Sequence, residues 1–196
     1  MQGMKEQYRL ATPDESAFYL QVLYPLQDRV LRLATVYENN LYLTGGTALA
    51  RLFFQHRFSD DLDFFTTTGD LKRIATDFIG RMQVAGLEVD VAQLDVYFAR
   101  IFVREASHTL KLDFVREPNL IGALQPGLEG GFVNSLEDIG ANKITAFEDR
   151  AEIKDIIDLY YITRSLSLDQ LFVLAAQKRV PIAYATLLSI HTVGIS

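Results

Sequence analysis

Apolar positions recur along this chain with two periods, and the switches between them divide it into elements. Residues from Pro13 to about Tyr24 follow helical spacing, with Thr12 as N-cap, Pro13 at the first helical position and Asp14 and Glu15 in the first turn. Leu26, Val30, Leu33, Ala34 and Tyr37 carry a helical stripe onward to Glu38, but Pro25 between the two runs is expected to break or kink them. Leu41 to Thr44 reads as a strand, Ala48 to Gln55 as a helix and Asp61 to Thr66 as a second strand. Gly69-Asp70 turns the chain into an amphipathic helix, Leu71 to Gln83, with Ile74, Phe78 and Met82 inward. Leu87 to Leu94, Phe98 to Arg104 and Leu110 to Val115 alternate as strands do, placing Asp113 on the same face as Lys111 and Val115.

Pro118 to Gly131 is rich in glycine and proline and marks an expected boundary between a core, residues 1–117, and a helical C-terminal region, residues 118–196. Ser135 and Asp138 resemble a capping box opening a helix to about Asp149. In the next helix Ile153, Ile156, Ile157, Tyr160 and Tyr161 make one side apolar, while Lys154, Asp155 and Asp158 hold polar positions. A third helix, Asp169 to Ala176, is capped by Ser167, and the apolar stretch 181–196 has no assignable element. The fold class expected is α/β (α+β): a small mixed sheet flanked by helices, with a helical tail.

Composition narrows the classes. Of 196 residues, 49% are hydrophobic and 22% charged, which suits a folded domain with a full core. No cysteine is present, so disulfides and thiolate zinc sites are excluded. The start shows no apolar signal segment and no run is long enough to span a bilayer, so no membrane association and a cytoplasmic location are expected. A net charge of −6 argues against broad electrostatic binding of nucleic acid and leaves only a local basic strip, for which Arg57, Lys72, Arg73, Arg100 and Arg104 are candidates.

The stretch from Gly45 to Asp63 carries the candidate chemistry. Gly45 and Gly46, lacking side chains, let backbone approach a ligand, and the helix that follows Thr47 favours an anion at its start. Asp61 and Asp63 are two apart on a strand and so share a face, where two carboxylates repel unless a cation lies between them. Oxygen donors of this kind suit Mg2+, with the remaining positions left to water and substrate phosphates. If the strand of Asp113 neighbours that of Asp61, a third acid completes a set for two-metal phosphoryl chemistry; otherwise Asp113 is an exposed acid paired with Lys111 or Arg116. There is no P-loop, HExxH or GxSxG, and His56, His108 and His191 are scattered without ligand spacing.

The run LTGGTALARLFFQHRFSDDLDF resembles the GG(S/T)…DxD signature of the polymerase-β-like nucleotidyltransferase superfamily, and HR-x-S-x-DLDF is similar to its AbiEii/AbiGii-type toxin family. Lys143, Arg150 and the run Lys154 to Leu159 resemble that family's second block. The resemblance implies an NTP-dependent enzyme that moves a nucleoside monophosphate to an acceptor. Asp61, Asp63 and Asp113 would hold metal, Gly45, Gly46 and Thr47 would fix the triphosphate, and Lys143 would neutralise its charge, with Arg57 helping to shape the site. Asp155 and Asp158 belong to the same nucleotide-binding set, as partners that orient Lys143 or Arg150 or as plain ion pairs. It further implies a toxin with a cognate antitoxin and RNA, tRNA in particular, as a possible acceptor. A catalytically silent binding module, and an enzyme acting on a protein or small-molecule hydroxyl, are the alternatives.

Overall fold

The structure is a computed structural model that describes residues 10–178. Thr12 accepts from the Glu15 amide while the Glu15 carboxylate reaches back to the Thr12 amide, a capping box that starts α1 (Pro13–Phe18). Pro25 does not break the helix. A π-helical turn, Tyr19–Leu23, leads directly into α2 (Tyr24–Ala34), and the Tyr24 amide bonds to the Tyr19 carbonyl. The wider turn makes room for a ring that would strike the carbonyl four residues back, and Pro25 falls at the start of α2, where no amide is needed.

Among the described residues seven strands form one mixed sheet: β1 (Tyr42–Thr44), β2 (Leu62–Thr66), β3 (Glu88–Leu94), β4 (Phe98–Glu105), β5 (His108–Arg116), β6 (Gln125–Pro126) and β7 (Phe132–Val133). Their order is β3-β4-β5-β2-β1-β7-β6, with β2–β5 and β1–β7 parallel and the other pairs antiparallel. The glycine- and proline-rich segment after Pro118 therefore supplies strands to the same sheet. Between β1 and β2 the chain forms α3 (Gly45–Ala48), which continues as a π turn, Leu49–Phe53. The helix thus begins at the glycines, three residues before the expected start.

Side chains two apart share a face of each strand, and the register joins them across strands. One face is the core: Leu43, Phe64, Phe114 and Ala99 make one row, and Leu62, Leu112 and Ile101 the next. Helix α4 (Leu71–Val84) packs there through Ile74, Ala75, Phe78 and Met82, and Phe64, Phe78 and Phe114 meet with centroids 5.4 to 5.8 Å apart. Burying each such ring stabilises the fold by about 1.5–3 kcal/mol.

The other face carries the polar positions and lies beneath α5 (Leu136–Arg150), which Ser135 caps by accepting from the Asp138 amide. Behind α5 stand α6 (Ile153–Ile162) and α7 (Leu168–Lys178). Gly140 on α5 permits the approach of α7, since a β-carbon there would lie 2.5 Å from Leu171 Cδ2. Helix α6 does not bury the whole of its apolar set. Its buried residues include Asp155 and Asp158, while Ile156 and Tyr160 are exposed. The cations of α5 and the loop before β2 supply enough pairing to draw two carboxylates inward. Among the described residues no helix is long and apolar enough to cross a membrane.

Candidate active site

Three cross-strand rows on the α5 side of the sheet differ sharply in chemistry. The central row reads Thr44–Asp63–Asp113–Arg100 across β1, β2, β5 and β4. One pleat on, Tyr42–Phe65–Val115–Phe98 is apolar, and one pleat back Lys111 stands beside Asp61, which immediately precedes β2. The condition set by the sequence is met: the strand of Asp113 is the parallel neighbour of the DxD strand, and Asp63 faces Asp113 in register. A cavity of about 210 Å³ opens over the first two rows, floored by Asp63, Asp113, Phe65, Val115 and Phe98 and roofed by α5 through Asn142, Lys143, Ala146 and Arg150.

The two glycines do separate work. Gly45 takes φ +69°, and a β-carbon on it would lie 2.2 Å from Asp63 Oδ2, so its missing side chain leaves the space that the carboxylate uses. Gly46 makes room for Arg57, whose guanidinium would be 2.5 Å from a β-carbon there. Thr47 is buried and does not line the cavity; its hydroxyl bonds to the Asp61 carbonyl and to Ser59 Oγ at 2.9 Å, tying the helix start to the strand entrance. Among the residues expected to fix the triphosphate, only Gly45 lines the cavity.

Two of the three acids are held by cations. Arg100 donates two hydrogen bonds of 2.7 Å to Asp113, and Lys111 Nζ lies 2.7 Å from Asp61 Oδ2 and 3.8 Å from Asp113 Oδ2. Asp113 is therefore buried rather than exposed, and of the two expected partners Lys111 lies near it while Arg100, not Arg116, holds it directly. Asp63 makes no ion pair among the described residues; burial, with Asp113 and Asp61 nearby, pushes its carboxyl up to about 6. No three acidic or histidine side chains converge as metal ligands among the described residues, and Lys111 and Arg100 are paired with Asp61 and Asp113.

The roof is a second ion network. Lys143, only 6% exposed, places Nζ 2.9 Å from Asp155 and 2.7 Å from Asp158, while still lining the cavity. Asp158 also accepts from Arg57 Nε and Nη2 at 2.8 Å and from His56 Nε2 at 2.7 Å. Asp155 accepts from Arg150 as well. Burial alone would raise both acids; hydrogen bonds from Arg57 and His56 hold Asp158 far below the usual carboxylate range, and those from Arg150 and Lys143 lower Asp155. Asp155 and Asp158 are wholly buried behind Lys143 and do not line the cavity, and Arg57 joins them there. His56, which the sequence shows only as one of three scattered histidines, has its side chain buried in this network, its ring tilted against Tyr161 with centroids 4.5 Å apart.

The basic strip is largely paired with the protein's own acids. Arg57 binds Asp158, Arg73 binds Asp70, Arg100 binds Asp113, and Arg104 lies near Glu88 and Asp90.

The family described as nucleotidyl transferase AbiEii toxin, type IV TA system, matches residues 29–181. JHP933 from Helicobacter pylori is similar in structure, with a TM-score of 0.61 and 22% identity over 79% of this chain and 70% of that one. The antibiotic-resistance factor ANT(2'')-Ia gives a TM-score of 0.56 and 20% identity over 86% of this chain and 98% of that one. At these identities the likeness is one of fold. A search of curated proteins finds no match. On the extent of the family match, this chain belongs to the AbiEii nucleotidyltransferase toxin family.

Proposed function

We propose that the enzyme transfers a nucleoside monophosphate from an NTP to an acceptor hydroxyl at the cavity between the Asp63–Asp113 row and α5, with Mg2+ as cofactor. The observation that carries this reading is the register pairing of Asp63 with Asp113 beneath Lys143, two acids and a cation on facing walls of one cavity. The residues fit a divalent cation. Asp63 and its neighbours are hard oxygen donors, and Asp63 faces the cavity as a crowded carboxylate that no protein cation pairs among the described residues.

Asp61 and Asp63 would hold the metal, and Asp113 would complete a second position. Bound there, Mg2+ would withdraw charge from the α-phosphate and from the departing pyrophosphate. The chain's own residues do the rest. Lys143, held between two buried carboxylates, presents a fixed positive charge to the outer phosphates. Asp113 orients the acceptor hydroxyl and receives its proton as oxygen attacks the α-phosphorus and the bond to pyrophosphate breaks. Phe65, Val115 and Phe98, one pleat away, offer an apolar floor for the nucleoside.

The toxin family supports a cognate antitoxin as partner, and RNA, tRNA first, is the acceptor in this reading. A small-molecule alcohol is the second reading, favoured because most cations of the strip are already paired. Labelled NTPs incubated with total RNA, total protein and small alcohols separate the acceptors. Calorimetry of NTP with Mg2+ and with chelator tests the metal: equal affinity in both sinks the metal-dependent reading.

A further inference from the structure

Lys111 pairs with Asp61, one of the two acids that would share a metal with Asp63. Its ammonium lies 2.7 Å from Asp61 and 3.8 Å from Asp113, so one charge spans carboxylates from two neighbouring strands. Arg100 takes the far side of Asp113 with a planar, two-bonded grip. Lys111 is held differently, by one compact charge on a flexible four-carbon stem. Its side chain is 30% exposed and that of Asp61 34%, so the lysine can withdraw into solvent without opening the core. A divalent ion arriving at Asp61 competes with Lys111 for the carboxylate's charge, and it meets the repulsion of an ammonium a few ångströms away.

We infer that Lys111 is an internal counter-ion that keeps the acid row closed to divalent metal until a triphosphate arrives to accept its ammonium. Metal and NTP then bind cooperatively, and by linkage each strengthens the other by the same factor. Lys111 acts here through Asp61 and is a positioning residue. The inference rests on the metal-dependent reading above and adds the order in which the site fills.

Mn2+ titration of the full chain tests it, following free Mn2+ by electron paramagnetic resonance with and without a non-hydrolysable α,β-methylene NTP. Wild type should bind Mn2+ weakly alone and about tenfold or more tightly with the nucleotide. Lys111→Met, which keeps the stem and removes the charge, should bind Mn2+ alone about tenfold more tightly than wild type and lose most of the nucleotide coupling. Lys111→Arg, which keeps the charge, should retain the weak binary affinity, and Lys111→Gln repeats the charge removal should the Met variant misfold. Metal binding that Asp63→Asn abolishes but that no Lys111 variant alters overturns this inference alone. No Mn2+ binding by wild type even with nucleotide overturns the metal-dependent reading and this inference together.

Discussion

Gly45 lies so close to Asp63 that the carboxylate occupies the volume a side chain would fill, with Oδ2 2.2 Å from the place of a β-carbon. The glycine of the turn and the acid of the next strand are thus one structural unit, and β1 and β2 bring them together by pairing Thr44 with Asp63. Gly45→Ala meets two obstacles, a φ of +69° and this contact. It should cost about 1–3 kcal/mol in urea unfolding and displace Asp63, so that Mg2+-dependent NTP binding falls with it. A variant that binds Mg2+ and NTP normally would show that Asp63 does not need this position.

Asp63→Asn separates stability from function. Because the folded protein raises the Asp63 carboxyl to about 6, it binds that proton more tightly than the unfolded chain does. Stability from this group is therefore full at acid pH, declines as pH rises toward and through about 6, and stays reduced above it. The amide removes the ionisation, so the variant should exceed wild type at pH 8 by about 1–3 kcal/mol and lose that advantage at pH 4. Added to protein already holding a non-hydrolysable NTP, Mg2+ should raise the wild-type Tm at pH 8 and leave the variant unmoved. Urea melts at both pH values give the comparison, and a variant less stable than wild type at pH 8 contradicts the crowding of these acids.

The roof network should respond in the opposite sense. Asp158→Ala leaves Lys143, Arg57 and His56 facing a buried gap and should cost about 3–5 kcal/mol. Since its carboxyl is held far below the ordinary range, the stability it gives is fully present above the ordinary carboxylate pKa and fades only in strong acid. Acid unfolding of wild type and variant tests this: curves that converge by pH 5 contradict it. Lys143→Met should weaken NTP binding more than NMP binding, and equal losses reject a contact with the outer phosphates.

Much of this site was legible in local pattern. Period-two spacing placed Asp61 and Asp63 together and put Asp113 beside Lys111, and the Ser135 cap located the helix bearing Lys143. Strand adjacency was stated only as a condition, since no local signal says which strands pair. On helix α6 the spacing of Asp155 and Asp158 fits their pairing with Lys143 and Arg150, but only the ion network shows that both acids are buried while Ile156 and Tyr160 are exposed. At Pro25 the irregularity expected from the sequence takes the form of a π turn, not a break, which absorbs the clash that ordinary helical geometry forbids. The stretch 181–196 lies outside the described residues.

If RNA is the acceptor, its binding should depend weakly on salt. With Arg57, Arg73, Arg100 and Arg104 paired internally, few cations remain to meet phosphates, and log affinity should fall by only roughly 0.7–0.9 per phosphate contacted as log salt rises. A steep slope, corresponding to about six or more phosphates, would mean that the internal pairs open on binding.

Transfer of label from two NTP preparations, one labelled at the α-phosphate and one at the γ-phosphate, tests the central claim most directly. Wild type should attach the α-label to acceptor and release the γ-label as pyrophosphate, while Asp63→Asn and Asp113→Asn, both folded, should attach neither. Attachment of γ-label, or undiminished α-labelling by Asp63→Asn, would contradict nucleotidyl transfer at the Asp63–Asp113 row.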